Sequence, residues 1–345
     1  MQEVRLALIG FGNVAQGLVQ ILHQRGEQFA RQYGIEFLIT AITDRNRGSA
    51  FDPNGIPTAS LLEAFQHPGG LRSLSNQAAE WDALEMIQHS PSDVVVEMSY
   101  TNLQDGEPAT TYIAEALSRK KHVVTTNKGP IALRYEELAS LAKMHGVQIG
   151  VEGTVMSGTP TLRVAREMLD GAGIRSIQGI LNGTTNFILT QMECGKSYEE
   201  ALAEAQRQGY AEADPTGDVE GYDAAAKVAI LSRLALNAPV PYANIERRGI
   251  SGLTAEDISS ARAKGMRWKL IGSLEKKGDE VTATVRPELL PDEHPLASVS
   301  GATNAILYRT DLLGDVVIIG PGAGREQTGY AIIQDLFAIY NVRKG

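Results

Sequence analysis

Five carboxylates crowd into the stretch GYAEADPTGDVEGYDAAAK that begins at Gly209: Glu212, Asp214, Asp218, Glu220 and Asp223. Carboxylates this close repel one another unless a cation joins them, so the loop suits a metal ion or the ammonium group of an amino-acid substrate. The spacing departs from the calcium-loop pattern D-x-[DN]-x-[DN]-G, which speaks against calcium. Lys227 stands four positions after Asp223, so on a helix starting near Gly221 the two share a face. An isolated Asp-x-x-x-Lys is usually a surface ion pair worth ~0.3–0.5 kcal/mol. Here Ala224 to Ala226 and Val228 to Leu231 leave the helix little polar surface, and the pair is expected to point into a cleft.

Three further segments carry chemistry. Gly10-Phe11-Gly12-Asn13-Val14-Ala15 fits G-x-G-x-x-G/A, which lets backbone N–H groups approach a pyrophosphate at a helix N-terminus. The second-strand residue that would meet the adenosine ribose is Asp44, well beyond the roughly 20-residue interval usual for this role, which a long first helix explains. Asp44 favours the 2′-hydroxyl of NAD, whereas Arg45 and Arg47 beside it suit the 2′-phosphate of NADP, and both cofactors stay open. Thr125-Thr126-Asn127-Lys128-Gly129-Pro130 places Lys128 at the carboxyl end of a strand, where open α/β sheets bind ligands. Gly179-Ile180-Leu181-Asn182-Gly183-Thr184-Thr185-Asn186 reads as a strand followed by small hydrogen-bonding residues, suited to a turn and helix cap or to lining a small polar site.

These residues need elements to hold them. Val4 to Ile9 is a strand, and Val14, Leu18, Ile21 and Leu22 have helical spacing. Strands follow at Glu36 to Thr43, Asp93 to Met98, His122 to Thr126 and Val147 to Val151. Helices fall near Pro108 to Ser118 and Tyr135 to His145, and Arg47 to Gly70 reads as loop with a short helix. Alternating strands and helices predict a Rossmann-type, doubly wound parallel sheet over residues 1–150. Beyond it, strand candidates at Ser176 to Leu181, Val281 to Pro287, Ala305 to Arg309 and Val316 to Ile319 predict an α+β domain with a mixed sheet over 151–315. Helical stretches there run from Leu162 to Asp170 and Tyr222 to Leu236. A last helix, Thr328 to Tyr340, belongs to a segment 316–345 expected to pack back on the first domain.

Composition limits the function classes. A chain of 345 residues with 43% apolar and 21% charged residues is globular and long enough for two cores. A formal net charge of −9 argues against a nucleic-acid surface. Cys194 has no intrachain partner, no signal-peptide layout precedes the first strand, and no apolar run reaches the ~18–20 residues that span a bilayer. A cytoplasmic enzyme of small molecules is the expectation. Six His and one Cys show no zinc-ligand spacing.

GFGNVAQG, TTNKGPIA, EGTVMSGTP, GILNGTTNFIL, GYAEADPTGDVEGYDAAAK and GPGAGREQT together resemble the homoserine dehydrogenase family in order and rough spacing, over almost the whole chain. The resemblance is to the short form without a kinase or appended regulatory domain. It implies reversible NAD(P)-dependent reduction of aspartate 4-semialdehyde to homoserine, a step towards threonine, methionine and isoleucine. By motif it implies Lys227 as proton donor, Lys128 as a second lysine contacting substrate and cofactor, and Glu212, Asp218 and Asp223 as substrate carboxylates, with Asn182, Gly183 and Thr184 beside them. Gly10, Phe11, Gly12, Asn13, Val14, Ser99, Thr101 and Gly324 would line the dinucleotide. Glu152, Val155, Ser157 and Thr159 align with a sodium-binding loop, although MSGTP departs from the commoner GGIP wording. A homodimer through the second domain's sheet is implied as well. Competing readings are a two-domain dehydrogenase of another small amino or hydroxy acid, and a catalytically silent NAD(P)-binding sensor. The first would not need both the acidic loop and GILNGTTN, and Lys128 with Lys227 speaks against the second.

Overall fold

The computed structural model describes residues 1–74, 78–278 and 280–342. It divides into two compact units: residues 1–158 with 324–345, and residues 159–323.

In the first unit β1 (Gln2–Ile9) is mid-sheet, flanked by β2 (Ile35–Asp44) and β5 (Val94–Glu97). The hairpin strand β3 (Gly48–Phe51) and β4 (Ala78–Ala79) extend one edge, and β6 (His122–Thr125) and β7 (Ile149–Gly150) extend the other. β2, β1, β5, β6 and β7 run parallel, while β3 pairs antiparallel with β2 and β4 antiparallel with β3. Alternation along β1 builds two cores. Val4, Leu6 and Leu8 join one face with α1 (Asn13–Tyr33), α2 (Thr58–Gln66) and the C-terminal helix Arg325–Ile339. Ala7 and Ile9 join the other with α3 (Ala83–His89), α4 (Ala109–Ser118) and α5 (Lys128–His145). The 21-residue α1 accounts for the long interval before Asp44, and ends at Gly34 in the left-handed region. It crosses the C-terminal helix at Gly17 and Gly329. A Cβ on Gly17 would collide with the Arg325 carbonyl, and one on Gly329 would come within 2.5 Å of Leu18 N.

The sequence reads 47–70 as loop with a short helix, which α2 matches, but it does not foresee a strand there, and it starts a helix at Tyr135; these two points are corrected. β3 turns back on β2 within that loop. α5 opens at Lys128 because Asn127 caps it, accepting from Gly129 N at 3.1 Å, and Pro130 suits a first turn; only Arg134 leaves helical geometry.

The second unit is a six-stranded mixed sheet in the order β13-β12-β8-β10-β11-β9. Its strands are β8 (Ile174–Ile180), β9 (Glu246–Arg247), β10 (Met266–Lys277), β11 (Glu280–Pro291), β12 (Thr303–Thr310) and β13 (Gly314–Pro321). Packed on it are α6 (Gly183–Glu193) and α9 (Tyr222–Leu234), with α7 (Tyr198–Arg207), α8 (Thr216–Val219) and α10 (Ala255–Ala263) completing the unit. The sequence reading misses β10 and takes Leu162 to Asp170 as a plain helix; Val164–Met168 is a π-helical turn. The units part at 158/159 and 323/324, where the sequence sets the borders at 150/151 and 315/316. Hydrogen bonding explains the shift. Glu152 N donates to Asp335 and Gln334 to the Gly158 carbonyl, which holds 151–158 to the C-terminal helix, while β13 is laddered to β12. No helix among the described residues is long and apolar enough to cross a membrane.

Lys121, just before β6, is buried, with Nζ donating to the Ser90 carbonyl at 2.6 Å and to Ser92 Oγ at 2.9 Å. Burial first, then the charge on Arg119, pushes its ammonium down to about 8 from 10.5. The unfolded chain keeps that proton up to the ordinary lysine range, so this residue makes stability rise as pH climbs between those values. Replacing it by Met removes the slope. In urea denaturation the wild type gains about 2 kcal/mol on Lys121→Met between pH 7 and pH 9.5; a pH-independent difference refutes this account.

Candidate active site

The parallel registers bring one set of turns to a single edge of the first unit. Ile9 is level with Thr43 and Glu97, and Glu97 with Thr125, so Gly10, Asp44, Ser99 and Asn127 all emerge at the carboxyl ends of neighbouring strands. β1 lies where the strand order reverses, the place where open sheets bind dinucleotides. Gly10 has φ +102 and a Cβ there would sit 2.8 Å from the Met98 carbonyl, so only glycine lets the turn pass β5. α1 starts without a side-chain cap at Gly12, beside which a Cβ would meet open space. Its first-turn N–H groups are therefore presented to an anion.

Other predicted cofactor residues are placed as follows. Phe11 buries its ring, stacked on Phe65 at 3.8 Å, and gives its N–H to Asp44 Oδ2 at 3.0 Å. Asp44 Oδ1 accepts from Asn46 N and Arg47 N at 2.9 and 3.0 Å, so this carboxylate also pins the glycine turn to the end of β2. Arg47 is committed to the Phe65 carbonyl and the Phe11 ring, while Arg45 is exposed. Gly324 opens the C-terminal helix, again without a side-chain cap, and Arg325 reaches Asn13 Oδ1 at 3.4 Å, which sets two helix N-termini side by side. Asn13 is exposed, and Val14, Ser99, Thr101 and Lys128 are partly buried.

Sequence reasoning passes over Glu97, although a carboxylate ending the apolar run VVVE is a visible signal. It is fully buried. Oε1 accepts from Ser99 N at 2.8 Å and from Ser99 Oγ, and Oε2 from Thr125 Oγ1 at 2.9 Å. Burial raises its pKa against the lowering effect of these hydrogen bonds.

In the second unit β8 delivers Leu181 and Asn182 to the start of α6. Asn182, buried, accepts from Thr185 N at 2.9 Å as the helix cap, and donates to Asp218 at 2.7 Å and Asp223 at 3.1 Å. The turn-and-cap reading of GILNGTTN holds, and the capping side chain also joins two carboxylates of the acidic run. Gly183 has no room for a Cβ, which would sit 2.6 Å from the Ala302 carbonyl, and Thr184 Oγ1 donates to the Tyr210 carbonyl at 2.7 Å. α9 is buried nearly all round, as its Ala-rich sequence requires. Lys227 is 7% exposed, paired with Asp223 at 2.8 Å and donating to the Leu181 carbonyl at 2.6 Å. An ammonium carries three donors; two are directed here, and a third is available to a substrate oxygen.

Of the acidic run, Asp218 and Asp223 converge on Asn182. Glu212 does not join them: it is exposed, and its carbonyl accepts from Gln206. Asp214 caps the turn into α8 through Thr216 N, and Glu220 accepts from Ser251. Arg247, which the sequence reading omits, lies over the Tyr222 ring at 3.5 Å and donates to the Glu220 carbonyl, fastening the start of α9. Among the described residues no group of three or more His, Cys, Asp or Glu is arranged to hold a metal ion. In the proposed cation loop Glu152 and Val155 are buried, Ser157 Oγ lies 2.8 Å from Thr328 Oγ1, and Thr159 Oγ1 donates to the Pro321 carbonyl.

A glycine turn at the switch point of a doubly wound sheet, and a buried lysine with paired carboxylates on a second unit, define a nicotinamide-dependent dehydrogenase of a small polar substrate. Residues 10–152 match the family model "Homoserine dehydrogenase, NAD binding domain", and residues 160–337 match "Homoserine dehydrogenase". The chain is 44% identical over 341 residues to the NAD(+)-dependent homoserine dehydrogenase of Pseudomonas canavaninivorans, covering 99% of this chain and 97% of that protein. It is 40% identical to the homoserine dehydrogenase of Methanocaldococcus jannaschii, over 98% of this chain and 99% of the other. A hyperthermophilic archaeal homoserine dehydrogenase mutant solved in complex with NADPH superposes with a TM-score of 0.85 at 31% identity, covering 99% of both chains. The chain belongs to the homoserine dehydrogenase family, NAD(P)-dependent oxidoreductases acting on a CH–OH group.

Asp218 has its pKa raised, by burial first and by the charge of Asp223 second. A raised carboxylate pKa is a stability penalty present at neutral pH and relieved as pH falls through the folded-state value. Asp218→Asn keeps an acceptor for Asn182 and removes the charge. The variant is expected to melt above the wild type at pH 7, with the gap closing towards pH 4, as read by calorimetry. An equal or lower Tm at pH 7 contradicts this electrostatic reading.

Proposed function

We propose that Lys227 is the acid–base group in the reversible conversion of L-aspartate 4-semialdehyde to L-homoserine, and the observation that carries this is its buried ion pair with Asp223 beneath the Leu181 carbonyl. When bound, the nicotinamide supplies hydride to the aldehyde carbon or takes it from the alcohol carbon. The oxygen gains negative charge in reduction, and the remaining N–H of Lys227 neutralises it and delivers the proton. Asp218 and Asp223, joined by Asn182, give the substrate ammonium a place to bind. Thr184 and Gly183 hold the turn close around it. Lys128, opening α5 at the carboxyl end of β6, takes the second-lysine role on the cofactor unit.

The cofactor reading is NAD. The Asp44 carboxylate is held at the end of β2 by three backbone N–H groups, where it meets a ribose hydroxyl favourably and a 2′-phosphate unfavourably, and Arg47 is turned away to Phe65 and Phe11. A sodium ion suits the buried Glu152 carboxylate with the backbone carbonyls of its segment, since hard cations take oxygen ligands. It would stiffen the 152–157 turn. A homodimer is supported by exposed apolar residues at one edge of the six-stranded sheet, Leu312, Leu313 and Ile319. Light scattering at twice the chain mass is the expected result.

Purified protein with L-homoserine is expected to reduce NAD, read at 340 nm, with higher kcat/KM than for NADP. Lys227→Met should lower kcat at least ~100-fold while cofactor affinity holds. An active Lys227 variant removes it from the mechanism, and absence of turnover with either cofactor removes the substrate assignment.

A further inference from the structure

We infer that Glu97 is a positioning residue of the cofactor site, a single buried carboxylate that ties the turn after β5 to the capped start of α5 and so keeps Ser99–Thr101 and Lys128 in one arrangement. The inference rests on the reading that the first unit binds NAD(P). Two chains of contact leave this carboxylate. On one side Oε1 takes both the N–H and the hydroxyl of Ser99, which fixes the first residue of the 99–101 turn. On the other, Oε2 takes the Thr125 hydroxyl; Thr125 Oγ1 in turn accepts from Asn127 N at 3.0 Å, and Asn127 caps α5, in which Lys128 is the first residue. Asn127 Nδ2 closes the loop by donating to the carbonyls of Ser99 and Tyr100 at 3.3 and 3.0 Å. Met98, between the two arms, donates to Ile9 and its carbonyl faces Gly10, so the glycine turn is registered against the same post.

The three contacts on Glu97 itself are donors pointed at an acceptor-only group. A carboxylate accepts all three at once; a carboxamide of the same shape carries two N–H donors on one side and must turn them on Ser99 or Thr125. The valines of β5 already fill both cores, so the carboxylate is not needed to pack the strand. What it holds is the edge where the cofactor binds. Loosening such a shell by fractions of an ångström is worth about ten- to a hundredfold in rate or binding.

The test is Glu97→Gln in the full chain, with the dissociation constant for NADH from nicotinamide fluorescence, kcat, and Tm measured on wild type and variant. The expected result is an NADH dissociation constant raised about tenfold and a lowered kcat, at a Tm within a few degrees of wild type. Ser99→Ala and Thr125→Val cut one arm each. Ser99→Ala should act mainly on the NADH dissociation constant and Thr125→Val mainly on kcat, and these two decide the matter if Glu97→Gln does not fold. Wild-type constants in a folded Glu97→Gln, or in both single-arm variants, overturn the proposal. A wild type that binds no NAD(P) at all would instead overturn the cofactor reading on which it rests.

Discussion

The ammonium of Lys227 is taken out of water on a helix with almost no polar surface, and two acceptors of the second unit are turned to it. An uncompensated buried charge costs several kcal/mol. Asp223 one helical turn away and the Leu181 carbonyl at the end of β8 meet that cost. The carboxylate brought in for the lysine then needs its own support beside Asp218, and Asn182 supplies it while capping α6. Strand end, helix cap, acidic turn and the helix of Lys227 are consequently one polar network.

The first unit solves a different problem with the same economy. A dinucleotide needs backbone N–H groups exposed at a helix start, and exposed polar turns are mobile unless tied down. Asp44 ties the glycine turn to β2, and Glu97 ties the β5 turn to the start of α5. Both acids accept mainly from neighbouring backbone and hydroxyl groups, so rigidity comes from short hydrogen bonds at strand ends while the α1 amides stay open to a ligand. Gly17 and Gly329 let the C-terminal helix lie against α1, which brings Gly324 and Arg325 to the same edge.

Much of this is legible along the chain. The glycine turn, the helix carrying Asp223 and Lys227, and the strand before Asn182 announce themselves because each is local: a spacing, a periodicity or a cap within a dozen residues. What escapes reading depends on partners far away. β10 carries charge and a buried Lys269, which pairs with Glu193 and donates to the Val299 carbonyl, so its pattern does not alternate cleanly. Which members of the acidic run Asn182 joins, Asp218 and Asp223, is set by the strand and helix ends that meet there. Glu97 looks like a polar strand end until its partners at Ser99 and Thr125 are seen.

The sequence by itself determined the fold class and the glycine turn, which follow from residue types at short separations, and the family, through motifs whose order runs along almost the whole chain. Only the tertiary structure decided which carboxylates meet, that Asn182 serves two elements at once, and where the units part. Those outcomes turn on whether a buried polar atom finds its partner, and that partner is chosen by packing across the sheet rather than by position along the chain.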